Sequence, residues 1–127
     1  MDKFLSFDFI VLLLLAFILL GVHEFGHWLA YRVCGYDAVL RKSVFVPGID
    51  PKKDIKVSKI QGLFIALNGF LFSAFVEIAP LMFLGYKLWK VLLLGGIAGA
   101  IVDFIWAISM LFQKEIYIYA GKSKERD

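Results

Sequence analysis

The sequence predicts an all-α integral membrane protein: three transmembrane helices, with a short membrane-associated β-hairpin or loop between the first and second. Three observations carry this expectation. Hydrophobic residues make up 61% of the 127-residue chain and mean hydropathy is +0.79, against roughly 45–50% apolar in a soluble domain. A soluble domain of this length leaves too much of its area in water to hide that apolar surface, so hydrocarbon must be part of its solvent. Finally, the apolar residues gather in runs at about 7–33, 61–86 and 88–112, each long enough for the roughly 20 residues that span ~30 Å as a helix. The length fits one domain, 1–127.

The first run resembles a signal peptide in position. It continues into His23-Glu24 where a small-x-small cleavage site would be needed, so it reads as a retained helix. The connection 36–60 is polar and basic. Within it Ala38-Val39-Leu40 and Val44-Phe45-Val46 look extended, Pro47-Gly48 signals a turn, and Ile55-Lys56-Val57 alternates. A hairpin against the membrane surface and an irregular loop fit this stretch equally. The second run carries a stripe of small residues, Gly62, Ala66, Gly69 and Ser73, and the third carries Gly95, Gly99, Asp103 and Ala107. Such stripes let membrane helices approach closely. The charged segment 113–127 reads as a tail. Cys34 is the single cysteine, so no intrachain disulfide can form.

Charge sets the orientation. With three spans, the 32–60 connection and the tail share one side and hold eleven of the 14 lysines and arginines. Lys3, Lys87 and Lys90 lie on the other. The positive-inside rule then places the N-terminus outside, and the connection and tail in the cytoplasm. The basic residues flank apolar runs, and no base-stacking or groove-reading module accompanies them, which excludes a nucleic-acid-binding class.

Polar residues inside the runs carry the chemistry. His23-Glu24-Phe25-Gly26-His27 reads H-E-x-x-H. On a helix the two histidines stack on one face and reach a single metal ion. Glu24 sits about 100° round from His23, near enough to hold a water and take its proton. An ionisable residue costs about 2.5–3.5 kcal/mol near the centre of an inserted helix and persists where it has a partner or a function. A catalytic zinc needs a third protein ligand and one open position. Asp8, Glu77 and Asp103 are the remaining acids in the runs, and helix rise ranks them. His23 and His27 lie roughly 8–14 Å inside the Arg32 boundary, and Asp103 roughly 16 Å inside the Lys114 boundary on the same side. Glu77 lies roughly 27 Å beyond Lys59, and Asp8 is also near the far end. Asp103 is therefore the expected third ligand, with an interhelical hydrogen-bonding acid as its alternative. Glu77 reads as an interface or cavity carboxylate. Asn68, roughly 14 Å deep, is level with the metal; its amide either binds substrate or an oxyanion, or bridges helices.

These residues resemble the H-E-x-G-H signature of the site-2 protease family of intramembrane zinc metalloproteases. The resemblance implies a core of three transmembrane helices, with a membrane-associated hairpin after the first. The family's second core helix carries A-G-P-x-x-N. Asn68-Gly69-Phe70-Leu71-Phe72-Ser73 is similar in place and spacing, with Phe70 for the proline and Ser73 for the last asparagine. By resemblance Asn68 and Ser73 handle substrate. The third core helix brings an aspartate, matched by Asp103, while the glycine usual after it is replaced by Phe104.

Together these imply a minimal, divergent member. Zn2+ is held by His23, His27 and Asp103, Glu24 is the catalytic base, and the substrate is a peptide bond in or next to a transmembrane segment of another protein. The lipid bilayer is the surrounding partner, and a homo-oligomer is left open. The alternative expectation is an inactive metal- or substrate-binding membrane protein, or a structural membrane subunit. A metal transporter fits less well, because three helices supply one site and no pathway.

Overall fold

The computed structural model describes residues 7–40 and 48–119. It is mostly helical, with two small antiparallel sheets. In chain order it runs α1 (Phe7–Val33), β1 (Ala38–Leu40), β2 (Ile49–Pro51), β3 (Ile55–Val57) and α2 (Lys59–Ser73). A π-helical turn (Ala74–Ile78), α3 (Ala79–Phe83), α4 (Trp89–Gly99), α5 (Ile101–Leu111) and β4 (Ile116–Ile118) follow. Among the described residues two helices are long and apolar enough to cross a membrane: α1, and the continuous segment Lys59–Phe83 formed by α2, the π turn and α3. The pair α4 and α5, bent by 49° at its break, makes a third if counted as one span.

Local chemistry sets the ends. α1 stops at Gly35, whose φ of +90° only glycine adopts freely. Gly35 N–H donates to Arg32 O at 3.0 Å and Tyr36 N–H to Tyr31 O at 2.9 Å, a Schellman closure. Gly85, at φ +79°, ends α3 in the same manner, with Tyr86 N–H on Leu81 O at 2.9 Å. α2 begins in a capping box: Ser58 Oγ accepts from Gln61 N–H, and Gln61 Oε1 accepts from Ser58 N–H, both at 3.1 Å. Lys59 Nζ donates to Leu111 O at 3.1 Å, supplying a cation to the C-terminal end of α5.

Helices α1 and α2 cross where glycine meets glycine. A Cβ on Gly26 would sit 2.7 Å from Asn68 O, 2.8 Å from Phe72 Cβ and 3.0 Å from Gly69 Cα. The backbones touch there, and Asn68 Nδ2 donates across the crossing to Gly26 O at 2.6 Å. Much of the rest of α1 is apolar and exposed (Phe7, Leu14, Phe17, Ile18), as a helix facing hydrocarbon would be.

The structure adds three features to the expected arrangement. Segment 88–112 is broken at Ala100 instead of running straight, and the second helix begins at Lys59 instead of 61. Ile49–Pro51 forms a strand, β2, pairing with β1 in the register Ala38↔Pro51 and Leu40↔Ile49. The expected extended segment Val44-Phe45-Val46 lies outside the described residues. The third feature is β4, inside what reads in sequence as a charged tail. It pairs with β3 in the register Ile55↔Ile118 and Val57↔Ile116. Ile116 and Ile118 are buried in the larger core with Tyr31, Ile65 and Met110, so the return strand closes one end of the bundle. Lys56 Nζ meets Glu115 Oε1 at 2.9 Å; hydrogen bonds from Lys56 and Tyr117 hold the Glu115 carboxyl below its ordinary value. A smaller core of Leu19, Ile78 and Leu92 joins α1, the π turn and α4.

Candidate metal centre

His23 and His27 project from one face of α1, one turn apart. Asp103 lies in the first turn of α5, just past the break at Ala100. The break places its carboxylate at a helix N-terminus, where the helix dipole favours negative charge. Three atoms converge: His23 Nε2 and His27 Nε2 lie 2.9 and 3.0 Å from Asp103 Oδ2, and 3.2 Å from each other. The side chains are 12%, 9% and 19% exposed, so little water screens the cluster.

His27 Nδ1 is 2.8 Å from the Ile65 carbonyl. A carbonyl only accepts, so Nδ1 carries the proton and, in the neutral ring, Nε2 presents a lone pair to the cluster. A carbonyl bonded to the far ring nitrogen in this way is what fixes the tautomer of a metal-binding imidazole. The spacing fits a small ion as well. With ligand bonds of about 2.0–2.2 Å, donors around tetrahedral zinc stand about 3.3–3.6 Å apart, a few tenths of an ångström more than the edges seen here. Nitrogen, nitrogen and carboxylate oxygen are the donor set of a catalytic zinc with one position open.

Gly69 makes the convergence possible. A Cβ there would stand 2.4 Å from His27 Nε2 and 2.9 Å from His23 Nε2. The backbone of α2 is thus the wall behind both imidazoles, and no side chain fits between.

Glu24 joins the three in lining a cavity of about 300 Å³, together with Tyr31, Trp106, Gly48 and, from β2, Ile49. The histidines, the acid on α5 and Glu24, all singled out in the sequence, come together. Asn68 and Ser73 do not join them. Asn68 Nδ2 bonds Gly26 O at the helix crossing, and Ser73 Oγ, fully buried, bonds Phe70 O at 2.9 Å in its own helix. Asp8 is at the far end of α1, where it meets Lys87 Nζ at 3.1 Å. Glu77 is buried in the π turn, and neither carboxylate oxygen has a hydrogen-bond partner among the described residues.

Sequence reasoning did not find Ile49 or Tyr31 as cavity walls. Only the H-E-x-x-H spacing offered a signal, since Tyr31 lies one helical turn beyond His27 on α1. Ile49 is placed by strand pairing that no local pattern encodes. Comparison with protein families, curated proteins and solved structures returns no match for this chain.

Proposed function

We propose that this chain is an intramembrane zinc metalloprotease that hydrolyses a peptide bond in or next to a membrane-spanning segment of another protein. One observation carries the reading: two imidazole nitrogens and a carboxylate oxygen within 3.2 Å of one another, beside Glu24 in a shared cavity. The resemblance of His23–His27 to the site-2 protease signature supports it, and so does the match of donor types to a catalytic zinc.

His23, His27 and Asp103 would hold the ion. Bound zinc supplies Lewis acidity, which acidifies water and polarises a carbonyl. The residues of the chain do the rest. Asp103 neutralises charge, and the Ile65 carbonyl keeps His27 in the ligating tautomer. The Glu24 carboxylate accepts a proton from the attacking water as its oxygen bonds to the carbonyl carbon. It then delivers that proton to the amine nitrogen as the C–N bond breaks. The 300 Å³ cavity gives water and substrate room beside these groups. Ile49 on β2 lines the same cavity, so a locally unwound substrate could lie extended along that strand.

In this reading all three apolar segments span the bilayer, with α4 and α5 as one bent span. The β1–β2 hairpin lies at the cytoplasmic surface with the tail, and the N-terminus is outside.

The 2.9 and 3.0 Å His–Asp contacts also fit one rival, in which protons on the two Nε2 atoms bond the carboxylate and the cluster clamps α1 to α5 in a structural subunit without metal. Cleavage of a membrane-spanning reporter in vesicles separates the two. The protease reading expects turnover by the wild type and a loss of about 10²–10⁴-fold with Glu24→Gln. Equal turnover by both, or none by either, would contradict it.

A further inference from the structure

Two tracks of residues run along the bundle toward the metal cluster. On α1, Leu13, Ala16, Leu20 and Glu24 succeed one another at steps of three or four, so they share a face. On α4, Val91, Gly95 and Gly99 follow at steps of four. Between the tracks lies a groove of about 410 Å³, apolar along its length until it reaches His23 and Glu24. The tracks are roughly 12–16 Å long at 1.5 Å per residue, which matches about 8–11 residues of a helix laid alongside.

The floor of the groove is bare. Beyond Gly95 and Gly99, no described residue lies within 4 Å of where a Cβ would stand. Gly96, one residue round, faces the packed side: its Cβ would meet Leu19 Cδ2 at 3.6 Å and Ile78 Cδ1 at 3.8 Å. Helix α4 therefore rests on its neighbours through one face and leaves the adjoining glycine face uncovered. The groove shares His23, Glu24 and Gly99 with the 300 Å³ cavity. Whatever occupies it continues directly into the site.

We propose that this groove seats an uncharged apolar helix of the substrate protein, backbone against the Gly95–Gly99 face, and that these glycines set the bulk of the side chains admitted. The proposal rests on the protease reading, since continuity with Glu24 is what selects a polypeptide over a lipid chain. A peptide running down the groove delivers its backbone to that carboxylate, whereas an acyl chain has no bond there to cut. Glycine on the floor lets two helix backbones approach closely, the geometry by which membrane helices associate. Before Glu24 the groove's walls offer no charged partner among the described residues, so a charged residue in the seated segment would be rejected.

The test uses the full chain carrying Glu24→Gln in phosphatidylcholine vesicles, with a single-span leucine–alanine peptide as probe. Photo-crosslinking p-benzoylphenylalanine replaces Val91, in the groove, or Leu94, exposed on α4 outside it. Labelling of the peptide several-fold stronger from position 91, reduced in steps by Gly95→Ala and Gly95→Leu at unchanged zinc content, is the expected result. Equal labelling from both positions, insensitivity to Gly95→Leu, adducts of lipid mass only, or adducts of two copies of this chain would each overturn the proposal. The same labelling in a His23→Ala/His27→Ala chain distinguishes the two readings. If selective labelling persists while the wild type neither holds zinc nor cleaves, the protease reading fails and the groove stands. A wild type that holds zinc and cleaves, yet labels unselectively, fails the groove alone.

Discussion

Replacing Gly69 by alanine probes the wall behind the metal cluster with a single methyl group. That carbon would stand 2.4 Å from His27 Nε2, 2.6 Å from His27 Cδ2 and 2.9 Å from His23 Nε2. Carbon and nitrogen come no nearer than about 3.4 Å in ordinary van der Waals contact, so His27 must retreat by roughly 1 Å. It cannot do so freely, because its Nδ1 is tied to Ile65 O at 2.8 Å, on the same helix that bears the new methyl. A 1 Å shift is about a third of the 3.0–3.2 Å edges that join Nε2 to its co-ligands. Overpacking of this kind costs about 1–3 kcal/mol, and disturbed support of a metal ligand costs about 10–100-fold in affinity. Alanine also favours helix by up to about 1 kcal/mol over glycine, so the secondary structure itself should hold. The expected result is a zinc dissociation constant raised about 10–100-fold with helical content unchanged. Chelator competition and circular dichroism on detergent-purified protein measure the two quantities. Gly21→Ala, on the metal-bearing helix but with nothing within 4 Å of its new methyl, is the control and should leave zinc binding unchanged. Wild-type affinity in Gly69→Ala would refute the packing argument.

Other expectations follow from the same geometry. Gly26→Ala pushes a methyl against Asn68 O and Phe72 Cβ at the α1–α2 crossing, and should cost about 1–3 kcal/mol in detergent unfolding, because backbone must move. Asn68→Ala removes the 2.6 Å bond to Gly26 O and should lower unfolding stability by about 0.5–1.5 kcal/mol while zinc binding persists. If Asn68→Ala instead abolished cleavage in a fully stable protein, the amide would have to act on substrate. Ile116→Ala empties a site 1% exposed in the core at the sheet end, and should cost about 2–5 kcal/mol in the same unfolding measurement.

Much of the candidate site was legible in the sequence because its signals are local. H-E-x-x-H puts two imidazoles on one helical face by spacing alone. Asp103 was placed by counting from Lys114, and nearly all of that count runs along α5. The bend at Ala100 lies on the other side of Asp103, so reading 88–112 as one straight helix did not disturb the estimate. What stayed hidden depends on distant pairing. β4 is three residues beside Lys114 and Glu115, and its identity as a strand comes from β3, some sixty positions earlier. β2, and with it Ile49 in the cavity wall, is likewise fixed by pairing with β1. The break itself had only a weak cue in Gly95-Gly96 and Gly99, which loosen a helix without dictating a bend of 49°. For Asn68 the sequence left the choice between substrate and helix bridging open: the side chain turns to the α1 backbone because Gly26 brings that carbonyl within reach.

The most direct test is the metal content of the detergent-purified full chain beside a His23→Ala/His27→Ala variant. About one zinc per wild-type chain and none in the variant, with both folded, is the expected result. A folded wild type that holds no metal, even after zinc is added, would contradict it and leave His23, His27 and Asp103 as a clamp between helices.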